Sequence, residues 1–459
     1  MWKKMCIALA MLSLVAIAAS PAGADEIFPF KIHEKSLDNG MRLVVIPYDS
    51  PGTIAYMTVV RTGSRDEVEA GHSGFAHFFE HMMFRGTEKY SGDEYNDLLK
   101  RMGADSNADT SDDRTRYYIT GPSAELETMM DMESDRFMNL SYTEEDFRRE
   151  ALAVLGEYNK NISNPFLPMW ERMRELGFKE HTYSHTTMGY LADIKAMPDY
   201  YDYSLGFFDR FYRPENSILM VVGDADPENV FSLAEKYYGE WENGYQEPTI
   251  AVEPAQTEPL TSHIDWAAPI RPYLMAGYKA PAWTADTVDI AALDLIGQLL
   301  FSESAPLYQK LMVEDQSVDF LQGFYSDHRD PFMFVIFSRI KSDDLVAGVQ
   351  ATIDEYIQKL QGELVDESHL ERIKSHMRYQ FALGMDSPDA IQDTIGNYLI
   401  LTGDPKDVNR IYAQYQNVTP EDVQRVAREI FQPNSSTTVT LSYPASEGSS
   451  GGAATGAGR

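Results

Sequence analysis

Residues 73–84 read SGFAHFFEHMMF, and the reading of this stretch organises the rest of the chain. After Ser73 it is apolar apart from His77, Glu80 and His81 and shows no strand-like alternation, so it predicts a helix. A spacing of four puts both imidazoles on one helical face, a turn apart, where they can grip a single metal ion. Glu80 falls beside them. Ten histidines in 459 residues would give roughly 0.2 such pairs by chance, and the added glutamate makes the coincidence rarer still.

Working outward, residues 41–47 (MRLVVIP) and 54–61 (IAYMTVVR) read as strands separated by the turn Asp49-Ser50-Pro51-Gly52. Helical patterns recur at 91–102, 123–138, 144–161 and 203–212, and SILMVVG at 217–223 is a buried strand followed by a helix from Pro227. Residues 246–260 hold three prolines without periodicity, which predicts a linker and a domain boundary. Beyond it, strands are expected at 272–279, 331–339 and 437–443, and helices at 284–300, 343–361 and 366–384. The junctions Phe211-Tyr212-Arg213-Pro214 and Phe431-Gln432-Pro433 each lead from a helix into a strand, 219 residues apart at the prolines, a faint sign of internal duplication.

An apolar fraction of 43% and 12% aromatics exclude a disordered or collagen-like chain, and the length suits two domains. Lys3 and Lys4, an uncharged run from Cys6 to Ala19 and Ala22-Gly23-Ala24 predict a signal peptide over residues 1–24, cut after Ala24. Export to the periplasm or medium is then expected, with no membrane span in the mature chain. Cys6 is the only cysteine, so metal must be held by His, Asp or Glu. Loss of Lys3 and Lys4 takes the formal charge from −32 to −34, which argues against nucleic acid as a partner and suits solubility. The Gly/Ser/Ala-rich residues 446–459 read as a flexible tail.

Glu150 and Glu157 lie seven residues apart and share a face of the 144–161 helix. With the 76-residue separation of Glu157 from His81, the motif resembles the inverzincin family of pitrilysin, insulin-degrading enzyme and mitochondrial processing peptidase. The resemblance continues through Gly103, Asn107-Ala108, Thr110, Thr115, Tyr117, His181-x-Tyr183, Gly189 and FYRPENSILMVVGD, covering most of 35–445. It implies an α+β fold of two similar domains, here 30–245 with the zinc motif and 263–445 without it, joined by a linker at 246–262. Each would be a mostly antiparallel sheet backed by helices, together half of a clamshell. It implies one Zn2+ per chain on His77, His81 and Glu157, with Glu80 as base and Glu150 as a supporting catalytic glutamate. Asn107 to Tyr117 resembles the edge strand that meets substrate backbone, with Asn107 and Ala108 as contacts. For Asn107 a turn cap is the bland alternative, for His72 a solvated loop position, and for His181, His185, Tyr117 and Tyr118 ordinary structural roles.

One departure stands out. Self-sufficient family members carry an Arg and a Tyr seven residues apart in the second half, and here Met312 and Asp319 occupy those positions within LMVEDQSVDF, with Tyr325 and Arg329 nearby but out of register. The family's glycine-rich loop is also missing around Gln298 to Ser304. The expected function is therefore a zinc metalloendopeptidase acting on peptides or unfolded segments. A similar chain carrying the Arg/Tyr pair would complete it in a heterodimer, a homodimer being the other arrangement. The alternative is a non-catalytic scaffold relative, which usually loses metal ligands. A third reading, a zinc carrier, would not require Glu80.

Overall fold

The computed structural model describes residues 26–444; the expected signal peptide and the tail at 446–459 lie outside the described residues. The first half contributes strands β1 (His33–Ser36), β2 (Arg42–Pro47), β3 (Thr53–Val60), β4 (Asp105–Thr110), β5 (Thr115–Pro122) and β6 (Ser217–Gly223). Its helices are α1 (Phe75–Met82), α2 (Gly92–Met102), α3 (Leu126–Asn139), α4 (Glu144–Asn161), α5 (Phe166–Gly177), α6 (Leu191–Ala196), α7 (Tyr201–Phe211) and α8 (Pro227–Tyr238). The second half holds β7 (Leu260–Asp265), β8 (Tyr273–Lys279), β9 (Val318–Tyr325), β10 (Met333–Ile340) and β11 (Ser436–Ser442). Its helices are α9 (Asp289–Phe301), α10 (Pro306–Tyr308, running into a π-helical turn), α11 (Val346–Gly362), α12 (Glu367–Leu383), α13 (Pro388–Leu401), α14 (Asp407–Asn417) and α15 (Pro420–Ile430).

The two sheets repeat one design. Strand order is β1-β2-β6-β3-β5-β4 in the first and β7-β11-β8-β10-β9 in the second. Apart from β1, every neighbour has its counterpart, including the single parallel pair in each, β2 with β6 and β7 with β11. The fold is α+β, with two mostly antiparallel sheets backed by helices. In the position that α1 takes after β3, α9 follows β8, and its residues are almost all buried and apolar.

Continuous apolar runs such as SILMVVG exist because both faces of these sheets are covered. Leu43, Val45, Tyr56, Leu219 and Val221 enter the core on the α1 side, while Val44, Ile46, Met57, Val59, Met220 and Val222 enter a second core on the opposite face. That second core is closed by Ile391, Ile395 and Leu399 of α13, a helix from the other half. The exchange is mutual: Met169 and Met173 of α5 pack with Met275, Met333, Val335, Val439 and Leu441 on the second sheet. Each buried side chain of this size contributes about 1.5–3 kcal/mol, so the halves hold each other closed.

Residues 241–259 carry neither helix nor strand, and β7 starts at Leu260, inside the stretch 246–262 expected as linker. This linker is pinned, because the Glu253 carboxylate accepts the backbone N–H groups of Lys179, Glu180 and His181 at 2.9–3.0 Å. The reading that no segment after the apolar start is long and apolar enough to span a membrane is corrected, by length and composition alone, for one helix among the described residues. The helical run Asp289–Glu314 is apolar and long enough to cross a membrane, but 67% of its most apolar window is buried inside the fold. It is apolar because α9 fills the core of the second half.

Candidate metal centre

The geometry begins with how α1 and α4 are built. On α1, Phe78 and Phe79 are fully buried and pack on Phe147, Phe207 and Phe208, which turns His77, Glu80 and His81 to the other side of the helix. α4 starts with Thr143 and Asp146 capping each other's backbone, and buries Phe147, Ala151 and Val154. Glu150 and Glu157 lie on that helix two turns apart, so both come to face α1.

The imidazoles of His77 and His81 have ring centroids 4.8 Å apart. Oε2 of Glu157 lies 3.4 Å from Nε2 of His81 and 3.7 Å from Nε2 of His77. Ligand atoms about 2.0–2.1 Å from a tetrahedral zinc are separated by about 3.3 Å, so these three groups already stand near the corners such an ion requires. Among the described residues, this is the one group of three His, Asp or Glu side chains whose ligand atoms converge, all within 4.8 Å of one another.

Glu150 is set differently from Glu157. Its Oε1 accepts the Nδ1 hydrogen of His81 at 2.9 Å, and Arg85 pairs with its other oxygen. Burial works to raise the Glu150 carboxyl, but His81 and Arg85 outweigh it and hold the group low. The expected supporting glutamate therefore stands behind His81, where it fixes the ring rather than touching a reacting atom. Nδ1 of His77, by contrast, is buried without a hydrogen-bond partner.

Without metal the two histidines diverge. Bonds to Glu150 and Glu157 push His81 up to about 9, whereas burial, followed by repulsion from His81, takes His77 down to about 4. Glu157 is held low, chiefly by His81. Glu80 is raised by burial, against the pull of a bond from Thr110, whose Oγ1 donates to Glu80 Oε2 at 2.6 Å.

Thr110 ends β4, the edge strand of the first sheet. The stretch 107–117, expected as one edge strand, is a hairpin: β4 stops at Thr110, Ser111 to Arg114 turn, and Thr115 begins β5. Three consecutive short polar residues, Ser111-Asp112-Asp113, favour that turn. Asn107 is exposed on β4 and its side-chain carbonyl accepts the Ala108 N–H at 2.9 Å; Ala108 itself is buried. Tyr117 is buried, donating to or accepting from Tyr212, and Tyr118 is half-buried on the opposite face. His72 stacks on Tyr203, His181 bonds Asp330, and His185 is buried, so none of the three joins the cluster. Arg85 and Thr110 were given no role by sequence reasoning. Neither had a signal in the sequence: Arg85 lies in the turn after α1 ends at Met82, where helical periodicity no longer applies.

In the second half, Met312 sits in the π-helical turn and Asp319 on β9 is paired with Arg271 and Arg339. Tyr325 donates its hydroxyl hydrogen to the Pro281 carbonyl at 2.9 Å, and Arg329 lies 3.4 Å from Glu247. Both nearby candidates for the missing donors are thus engaged elsewhere.

A two-sheet α+β chain with His-x-x-Glu-His on a helix and a glutamate converging from a second helix defines the class of inverted-motif zinc-peptidase relatives. The chain belongs to the insulinase family, peptidase family M16. Its family model matches residues 43–190, and the M16 inactive-domain model matches residues 201–377. The zinc protease PqqE of Helicobacter pylori is 28% identical over 95% of this chain and 98% of its own length. The mitochondrial-processing peptidase subunit beta of Caenorhabditis elegans is 24% identical over 86% of each chain. The crystal structure of a protease from Helicobacter pylori superposes with a TM-score of 0.85 at 26% identity, covering 90% of this chain and all of that one.

Proposed function

We propose that this chain is a zinc-dependent endopeptidase of peptides or unfolded segments whose site is completed by a partner subunit. The observation that carries the reading is the convergence of His77, His81 and Glu157 with Glu80 held alongside by Thr110. One zinc per chain would be held by His77, His81 and Glu157, supplying Lewis-acid polarisation of a carbonyl and a nucleophilic water at neutral pH. Glu80 takes the proton of the attacking water, its raised affinity for protons suiting that task. Glu150 acts as a positioning residue through His81. The free edge of β4, with Asn107 and Ala108, accepts substrate backbone as an added strand.

The partner follows from the second half: Met312 and Asp319 cannot donate to a developing oxyanion, and Tyr325 and Arg329 are engaged. A heterodimer with a similar chain carrying Arg and Tyr fits this best, and a homodimer is the second arrangement. The same observation favours the runner-up, a non-catalytic relative, but the retention of all three ligands and Glu80 speaks for catalysis. We also infer export, from the charged start, apolar run and Ala-Gly-Ala of the first 24 residues; N-terminal sequencing should begin at Asp25.

The deciding experiment compares zinc content and peptide cleavage in unmodified chain plus partner, Glu80→Gln, His77→Ala and Glu157→Gln. Glu80→Gln should retain zinc and lose turnover by about 100-fold or more, while the other two should lose zinc. Full zinc content in His77→Ala or Glu157→Gln, or full turnover in Glu80→Gln, would overturn the assignment.

A further inference from the structure

The two imidazoles of the cluster are supported unequally. His81 is oriented by Glu150, whereas Nδ1 of His77 has no partner, so the backbone of α1 together with packing decides where His77 points. α1 is eight residues long, starts after Gly74 in the left-handed region at φ 93°, and has no side-chain cap from its own N-cap residue. Uncapped helix ends leave N–H groups unsatisfied. Here they are taken from a distance: the carboxylate of Glu67 accepts Gly74 N–H and Ala76 N–H, each at 2.7 Å. The Glu67 side chain is completely buried.

Glu67 sits at the end of a tightly held segment. Asp66 accepts the Gly63 N–H at 3.0 Å, and the Arg65 N–H donates to the Asp112 carbonyl at 2.8 Å in the β4–β5 turn. A Cβ on Gly63 would meet the Ser111 carbonyl oxygen at 2.3 Å, so no side chain fits between segment and turn. Arg65 Nε donates to Asp330 of the second half at 2.5 Å. The segment Gly63–Glu67 thus ties the second half, the hairpin that holds Thr110 and the start of the metal helix to one another.

We propose that Glu67 is a positioning residue of the metal centre, a remote cap that fixes α1 and with it His77, and that Asp330 supports it through Arg65. The inference rests on the zinc reading above. Two acceptor oxygens at a helix N-terminus satisfy end N–H groups that have no partner within the helix. Glu67→Gln keeps the shape but turns one acceptor oxygen into a donor facing an N–H. Its effect should appear in metal binding, as with other outer partners of ligating side chains, where losses are typically 10–100-fold.

The test uses the metal-free full chain. Zinc affinity is measured in competition with a chromogenic chelator, beside hydrogen exchange of residues 74–82 and the melting temperature. Glu67→Gln is expected to bind zinc about 10–100-fold more weakly and to exchange faster in α1 while other segments exchange as before. Asp330→Asn should move both readouts the same way by less. Glu69→Gln, in the same loop but bonded to Tyr203 and Arg210, should leave both unchanged. A lowered melting temperature with unaltered zinc affinity in Glu67→Gln would mean a purely structural residue and overturn the inference. If Glu67→Gln does not fold, Glu67→Asp takes its place, its shorter side chain withdrawing the acceptors from Gly74 and Ala76: unaltered zinc affinity there overturns the inference, and unaltered affinity in Asp330→Asn overturns the relay through Arg65. No zinc uptake by the unmodified chain overturns the zinc reading itself.

Discussion

Oε1 of Glu150 lies 2.9 Å from Nδ1 of His81, while Nε2 of the same ring lies 3.4 Å from Glu157. One imidazole is therefore held between two carboxylates, one that orients it and one that would share its metal. An ionised carboxylate can only accept, so Nδ1 carries the hydrogen and Nε2 offers its lone pair when the ring is neutral. Glu150→Gln should thus weaken zinc binding about 10–100-fold without abolishing it, in contrast to Glu157→Gln. Zinc titration of both variants checks the ranking, and equal loss in the two would make Glu150 a ligand.

The same pairing sets a pH dependence. His81 is raised to about 9 in the metal-free chain by its bonds to Glu150 and Glu157. A raised histidine stabilises the fold fully below its unfolded value near 6.5, and that contribution fades as pH rises through about 9. Zinc needs the neutral ring, so its binding must displace a proton at pH 7.5. Zinc affinity should increase between about pH 6.5 and 9, with roughly one proton released per ion, measurable by calorimetry in buffers of different ionisation enthalpy. Release of no proton would mean that His81 is already neutral.

The contact between halves offers a stability test. Arg174 is buried and bonds both oxygens of Asp112, at 2.7 and 3.1 Å, while His328 of the second half bonds the same carboxylate at 2.9 Å. Burial alone would raise Asp112, but Arg174 and His328 hold it far below the usual carboxylate range. Arg174→Met should cost about 3–5 kcal/mol, because it leaves a buried charge short of its partner. Denaturant unfolding reads this directly, and a cost under about 1 kcal/mol would show water replacing the guanidinium.

Activity should depend on a second chain. Loss of one oxyanion donor typically costs 100 to 1,000-fold, so the isolated chain should cleave an unstructured peptide only weakly. Adding a similar chain that carries the Arg/Tyr pair should restore turnover, and replacing that Arg and Tyr should remove it again. Full activity of the isolated chain, unchanged by any partner, would mean that Tyr325 or Arg329 leaves its present contact to serve the reaction.

Much of the first half was legible because its signals are local. The β-branched runs of β2, β3 and β6 and the four-residue spacing on α1 need no partner to be recognised. α5 is not legible in the sequence because Pro168 interrupts its start, although proline is tolerated in the first turn, where N–H groups lack helical acceptors. β9 is not legible either, because its burial follows no alternation.

The residues of the cluster and the helices that carry them follow from sequence, since a helix fixes which of its own side chains share a face. Glu157 came from a resemblance in spacing, not from periodicity. Only the tertiary structure decided that Glu150 meets Nδ1 of His81, that Thr110 holds Glu80, and that Glu67 caps α1. It alone decided that α5 and α13 cross to the opposite half. Each is a contact between elements distant along the chain, and periodicity within one element specifies which face is apolar but not which partner will cover it.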